Sequence, residues 1–193
     1  MLERLSALTD NPSIKPALQE AEKYFLLRDY DNALPAYLDA LRATEELEGK
    51  SAPLIGDICC IVSSFYEEQR DYQTAVSYLV RAYVITENAV GTDNSVSGKI
   101  SYNVGRLYKK LGDDSKAINA FSRSLNSFEK EVGTEHVIIG DIFNNLGEIY
   151  ERQDLLEKAK RCYEKAVEIF VASESDPLEV ALLHSKLSNL GRG

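Results

Sequence analysis

The chain has 193 residues, 44% of them hydrophobic and 27% charged, with a formal net charge of −9. That length makes one domain with enough apolar content for a continuous core, and the acidic balance excludes generic attraction to nucleic acid or anionic lipid, which needs a basic field. Met1-Leu2-Glu3-Arg4 is no signal-peptide opening and no apolar run is long enough to span a bilayer, so we expect a cytoplasmic protein without membrane insertion.

Residues 1–12 read as a short leader that stops at Thr9-Asp10-Asn11-Pro12. Beyond it, apolar residues recur at spacings of three and four in paired segments separated by polar breaks. The spacing predicts helices over about 13–28 and 30–47, 53–69 and 72–89, 95–111 and 114–131, and 137–152 and 155–172. Gly49, Gly91 and Gly133 follow the second helices, where a left-handed backbone is expected. Gly56, Gly98 and Gly140 fall in the opening turns of first helices. Glycine there costs roughly 1 kcal/mol against alanine, so close helix contact is the expected reason for it. After Asp176-Pro177 a last helix runs through 178–190; it either caps the final apolar face or opens a fifth unit. In the second case Leu182, Leu183, Leu187 and Leu190 would be partly exposed and open to self-association.

These elements obey a period of 42. Tyr24, Tyr66, Tyr108 and Tyr150 are each followed nine residues later by Ala33, Ala75, Ala117 and Ala159. Four further on stand Tyr37, Leu79, Phe121 and Tyr163, then the small residues Ala40, Ala82, Ser124 and Ala166. Three before each tyrosine are Ala21, Ser63, Gly105 and Gly147, small again. Small residues at matched places let paired helices approach, and a large ring fills the space beside them. The chain is therefore one helical hairpin repeated, with units at about 14–55, 56–97, 98–139 and 140–176 and a terminal helix over 177–190.

The columns resemble the tetratricopeptide repeat; Leu146-Gly147-Glu148-Ile149-Tyr150 followed by Ala159, Tyr163 and Ala166 fits its signature closely. The 42-residue period exceeds the usual 34 and is similar to the long-helix variant of kinesin light chains. Gly133-Thr134-Glu135-His136 before Asn144-Asn145-Leu146 is similar to that variant's linker and helix. The resemblance implies an all-α, right-handed α-solenoid. It also implies a non-catalytic scaffold that binds a peptide segment of a partner protein in its concave groove.

Little chemistry is visible beside it. Cys59, Cys60 and Cys162 are an odd count without metal spacing and read as small buried hydrophobes. His136 and His184 stand apart from any ligand or triad cluster, and His136 reads as a capping or packing residue. With no Walker loop, dinucleotide fingerprint or serine elbow in the sequence, neither an enzyme nor a cofactor is expected.

The resemblance places the groove on the first helix of each pair. Its contacts fall two, five and six residues before the tyrosine, two after it, and near the helix start. Asn103 and Asn145, with Tyr102 and Asn144 beside them, are the sharpest candidates, because an amide offers both donor and acceptor to a peptide bond. Lys99, Arg106, Lys110 and Arg152 form a basic cluster among them. Two readings of the cluster stand: a site for an acidic residue or terminal carboxylate, or a ladder of pairs with Asp57, Asp141 and Glu148 in neighbouring repeats. The alternative to peptide capture is a self-assembly module joining copies through terminal helices or convex faces.

Overall fold

The computed structural model describes residues 5–92, 94–131 and 136–190. A short 3-10 turn, Leu5–Ala7, precedes α1 (Lys15–Leu26), α2 (Tyr30–Glu48), α3 (Pro53–Glu68), α4 (Tyr72–Val90), α5 (Ser95–Leu111), α6 (Asp114–Glu131), α7 (Val137–Arg152), α8 (Leu156–Ala172) and α9 (Pro177–Leu190). No strand occurs among the described residues. Helices pair in sequence, α1 with α2 through α7 with α8, and α9 packs on α8. The helix ends fall within a few residues of the sequence expectation.

The chain forms two compact units that meet in sequence between Gly91 and Thr92. In each, the alanine column is fully buried, together with Tyr37, Leu79, Phe121 and Tyr163. The small column before the tyrosine lies beneath the large one. A Cβ on Gly105 would sit 2.7 Å from the Phe121 ring, and one on Gly147 would sit 2.5 Å from the Tyr163 ring. Ser63 fills the same role with a hydroxyl, which donates to the Ala75 carbonyl at 2.8 Å.

The hairpin turn has a period of its own. Arg28, Arg70, Gly112 and Asp154, again 42 apart, all take a positive φ, between 58° and 77°. That reversal lets the next backbone N–H return to the carbonyl of the signature tyrosine: Asp29 to Tyr24, Asp71 to Tyr66, Asp113 to Tyr108 and Leu155 to Tyr150, at 2.9–3.0 Å. Asp29, Asp71 and Asp113 then cap the second helix by accepting from the backbone N–H groups of Asn32, Thr74 and Lys116. Side-chain hydrogen bonds with Thr74 and Lys116, followed by these backbone bonds, hold the Asp71 and Asp113 carboxyls below the usual aspartate range. In the fourth hairpin the cap position is Leu155, which supplies no side-chain bond.

Two expectations need correction. Gly49 and Gly91 do take positive φ, but with ψ of 161° and 175° they lie in the extended mirror region and not in the left-handed helical one. The left-handed residue sits inside the hairpin, at the 28, 70, 112 and 154 column; Gly133 lies outside the described residues. Of the four α9 leucines that an opened fifth unit would leave partly exposed, Leu183 is buried against Ala159, Tyr163, Ala166 and Phe170. Leu187 and Leu190 are half-buried there, and Leu182 is exposed. α9 thus covers the apolar face of α8.

Candidate groove on the first helices of the second unit

In the second unit the first helices are α5, α7 and α9, and α5 touches α7 directly. Their facing side chains form a connected polar network. On α5, Arg106 lies over the Tyr102 ring at 5.9 Å and donates from Nη1 to Asn103 Oδ1 at 3.3 Å. Asn103 thereby uses its acceptor, while no bond from its Nδ2 is seen among the described residues.

Asn145 on α7 is used at both ends. Its Nδ2 donates to the Asp141 carbonyl at 2.8 Å, and its Oδ1 accepts from Lys109 Nζ of α5 at 2.5 Å. Lys109 also reaches Glu148 Oε2, and Lys186 of α9 reaches Glu148 Oε1. Lys186 donates further to Asn144 Oδ1 at 3.0 Å and lies over the Tyr163 ring at 5.2 Å. One carboxylate on α7 therefore ties α5, α7 and α9 together.

Electrostatics follow this geometry. Burial works against ionisation of Glu148, yet hydrogen bonds and charge from Lys109 and Lys186 outweigh it and hold the carboxyl below the usual glutamate range. Asp141 moves the other way: burial first, then Glu179, push it up, with Arg106 pulling back. Tyr102 is likewise pushed up by burial and then by Asp141, against Arg106 and a hydrogen bond with Asn145.

The structure thus brings Tyr102, Asn103, Arg106, Asn144 and Asn145 into one network. Lys99 and Lys110 lie exposed on the same helix, α5. Arg152 turns away to Asp114 at the start of α6, which also accepts from Gln153. Charged pairs between repeats do exist, among them Lys109–Glu148, Lys186–Glu148 and Arg152–Asp114. Arg106 is bonded to Asn103 and felt by Asp141. Sequence reasoning missed Lys109, which falls one residue after the tyrosine and outside the groove positions. It also missed Lys186, although Lys186 stands one period after Asn144 and the repeat could have found it. The echo of Asn-Leu-Gly at Asn189-Leu190-Gly191 is two residues out of register and obscured that match.

His136 caps α7, its Nδ1 accepting from the Ile138 N–H, and its ring stacks on Phe128. Cys59, Cys60 and Cys162 are free thiols. Burial pushes Cys59 up to about 11 and Cys60 up to about 12, far from thiolate reactivity. No group of three or more metal-ligating side chains occurs among the described residues.

A tetratricopeptide repeat model matches residues 61–130 and, in a second copy, 100–172, together more than half of the chain. No curated protein matches it. Among solved structures, the chain is similar to BtubC (BKLC) from P. vanneervenii, at 20% identity and a TM-score of 0.75 over 87% of this chain and 68% of that one. It is similar to a kinesin light chain-type protein of Podospora anserina built from nearly identical TPR-like repeats, at 14% identity and a TM-score of 0.73 over 94% and 87%. YrrB, described as a TPR protein with an unusual peptide-binding site, aligns at 22% identity and a TM-score of 0.67 over 92% and 77%. At these identities the likeness is one of fold: an all-α stack of helix pairs of the tetratricopeptide solenoid kind.

Proposed function

The chain belongs to the tetratricopeptide repeat family, whose fold typically mediates protein–protein contact, and on that premise we propose that it is a non-catalytic cytoplasmic scaffold capturing an extended peptide segment of a partner along α5 and α7. The observation that carries this reading is the Asn103–Arg106–Tyr102 cluster. An amide whose acceptor is held by Arg106 presents its Nδ2 to a peptide carbonyl, and the ring beside it offers an apolar seat. Arg106, with Lys99 and Lys110 on the same helix, favours a segment carrying a carboxylate; Arg152 contributes from the rim by exchanging Asp114. Asn144 and Asn145 join by giving up Lys186 and Lys109, so they add less than Asn103. The net charge of −9 sets this local basic face against a generally acidic surface, which favours an acidic peptide over nucleic acid.

The test is a selection from a displayed random-peptide library followed by calorimetry on the selected peptides. Asn103→Ala is expected to weaken binding about tenfold, the loss of one buried hydrogen bond, and Asn145→Ala by less. Peptides that bind folded Asn103→Ala and Arg106→Ala chains as tightly as wild type would remove the groove from these residues.

Self-assembly has one observation in its favour. Leu178 and Leu182, one turn apart on α9, are 73% and 58% exposed. Light scattering over a concentration range tests it: a mass that rises with concentration and falls back in Leu182→Glu supports assembly, and a constant monomer mass excludes it.

A further inference from the structure

The first unit carries its own occupied groove. The groove positions of its first helix are Lys15, Gln19, Glu22 and Leu26, and on Glu22 sits a residue from elsewhere in the chain. Ser6 donates its backbone N–H to Glu22 Oε1 at 2.8 Å and its hydroxyl to Oε2 at 2.6 Å, so both carboxylate oxygens are taken by one residue. The contact is buried: Ser6 is 5% exposed and Glu22 is 9% exposed. Leu5 and Thr9 on either side are buried as well, and the turn they form touches both α1 and α3, the two first helices of this unit. Beside Ser6 an open cleft of about 480 Å³ continues along α1, lined by Gln19, Glu22, Lys23, Leu26 and Leu27.

We propose that Glu22 anchors a binding site for short peptide turns bearing a serine or threonine after an apolar residue, and that the chain's own Leu5–Thr9 segment occupies this anchor while the cleft beside it stays open. The chemistry is specific. Two donors from a single residue, one backbone and one hydroxyl, meet two acceptors of a single carboxylate in a buried setting, where such charge-assisted bonds are strong and short. A residue without a hydroxyl leaves one oxygen unmatched, and a residue with a negative side chain is repelled. The column that holds Glu22 continues as Ser64, Arg106 and Glu148. Its other carboxylate, Glu148, is also fully engaged, but by lysines. Glu22 has a peptide in that place. The occupant is tethered a few residues from α1, so its effective concentration is on the order of millimolar, and a free segment of the same chemistry must compete with it. This site is separate from the α5–α7 groove and does not depend on that reading.

The experiment uses the full chain and an N-acetylated, fluorescent peptide of residues 5–12, Leu-Ser-Ala-Leu-Thr-Asp-Asn-Pro. Ser6→Asp in the chain places a second carboxylate against Glu22 and should expel the tethered segment. Hydrogen exchange should then show residues 5–9 deprotected while α2 and α3 stay protected. The peptide should bind Ser6→Asp about tenfold more tightly than wild type, because the tethered competitor is gone. Adding Glu22→Gln should remove about tenfold of that affinity, and a peptide carrying Ser6→Asp should not bind. Ser6→Ala, which deletes only the hydroxyl, serves if Ser6→Asp disturbs α1, and should raise peptide affinity about threefold. Equal binding to wild type and the released variant overturns the proposal. So does an absence of binding to a chain whose segment is released, or retention of the segment in Ser6→Asp.

Discussion

The opening glycines of the first helices divide the two units. In the second unit, a Cβ on Gly140 would lie 2.5 Å from the Phe170 ring, and one on Gly98 would lie 3.0 Å from Phe128. In the first unit, the equivalent Gly56 faces Thr86 and Ile85 at 3.4 and 3.5 Å, which is ordinary contact. The residues one period apart on the second helices explain the difference: Thr44, Thr86, Phe128 and Phe170. Against Phe170 the glycine is a steric necessity, against Phe128 it is a tight fit that a small ring shift could relieve, and against Thr86 it is dispensable. One sequence column thus hides different physical situations, and only the facing contact separates them.

Substitution along that column is the strongest way to break the comparison. Gly140→Ala should destabilise by about 2–3 kcal/mol, because a buried ring must move. Gly98→Ala should cost about 1 kcal/mol, the neighbour yielding by a few tenths of an ångström. Gly56→Ala should be neutral or stabilise by up to about 1 kcal/mol through helix propensity. Urea titration of the three variants, read by circular dichroism, checks the order. Equal losses at all three positions would show that ring packing does not distinguish the units.

A second contrast lies in the hairpin turns, where Asp29, Asp71 and Asp113 cap their helices and Leu155 does not. Leu155→Asp should raise stability by about 1 kcal/mol by giving α8 the missing acceptor. Thermal melts at neutral pH would register it, and no gain would mean that the chain path at Leu155 cannot present a side-chain cap.

The smallest effect sharpens the electrostatic difference between Glu148, held by lysines, and Asp141, pushed up by burial. Glu148 has its folded pKa below the unfolded value, so its contribution is present above the unfolded pKa and is lost as pH falls through the folded one. Asp141 has a raised folded pKa, so ionisation above that value works against folding. Half-exposed pairs are screened, so each is worth about 1 kcal/mol or less. Glu148→Gln should therefore lower stability at neutral pH and flatten the acid-side decline, whereas Asp141→Asn should raise it. The same sign for both in pH-dependent unfolding would contradict the network.

How much of this was legible in the sequence depends on whether a feature repeats. The helices, the alanine column and the large-over-small pairs repeat without slippage, and burial forces them to. The left-handed column at Arg28, Arg70, Gly112 and Asp154 repeats too, but three of its members are not glycine, so residue type gave no cue. Lys109, Lys186 and Ser6 find their partners through long side chains or through a single contact made once. Periodicity marks only the position of Lys186, one period after Asn144, and carries no trace of Lys109 or Ser6, so the polar half of the candidate grooves was harder to read than the apolar core.

The ring and the glycine beneath it also say something about inheritance. Phe128 with Gly98 and Phe170 with Gly140 lie on opposite arms of the same hairpin. A gene rearrangement that borrowed one arm without the other would leave either a hole or a collision. The smallest piece this architecture can copy, shuffle or lend without repair is therefore the whole hairpin, ring and glycine together.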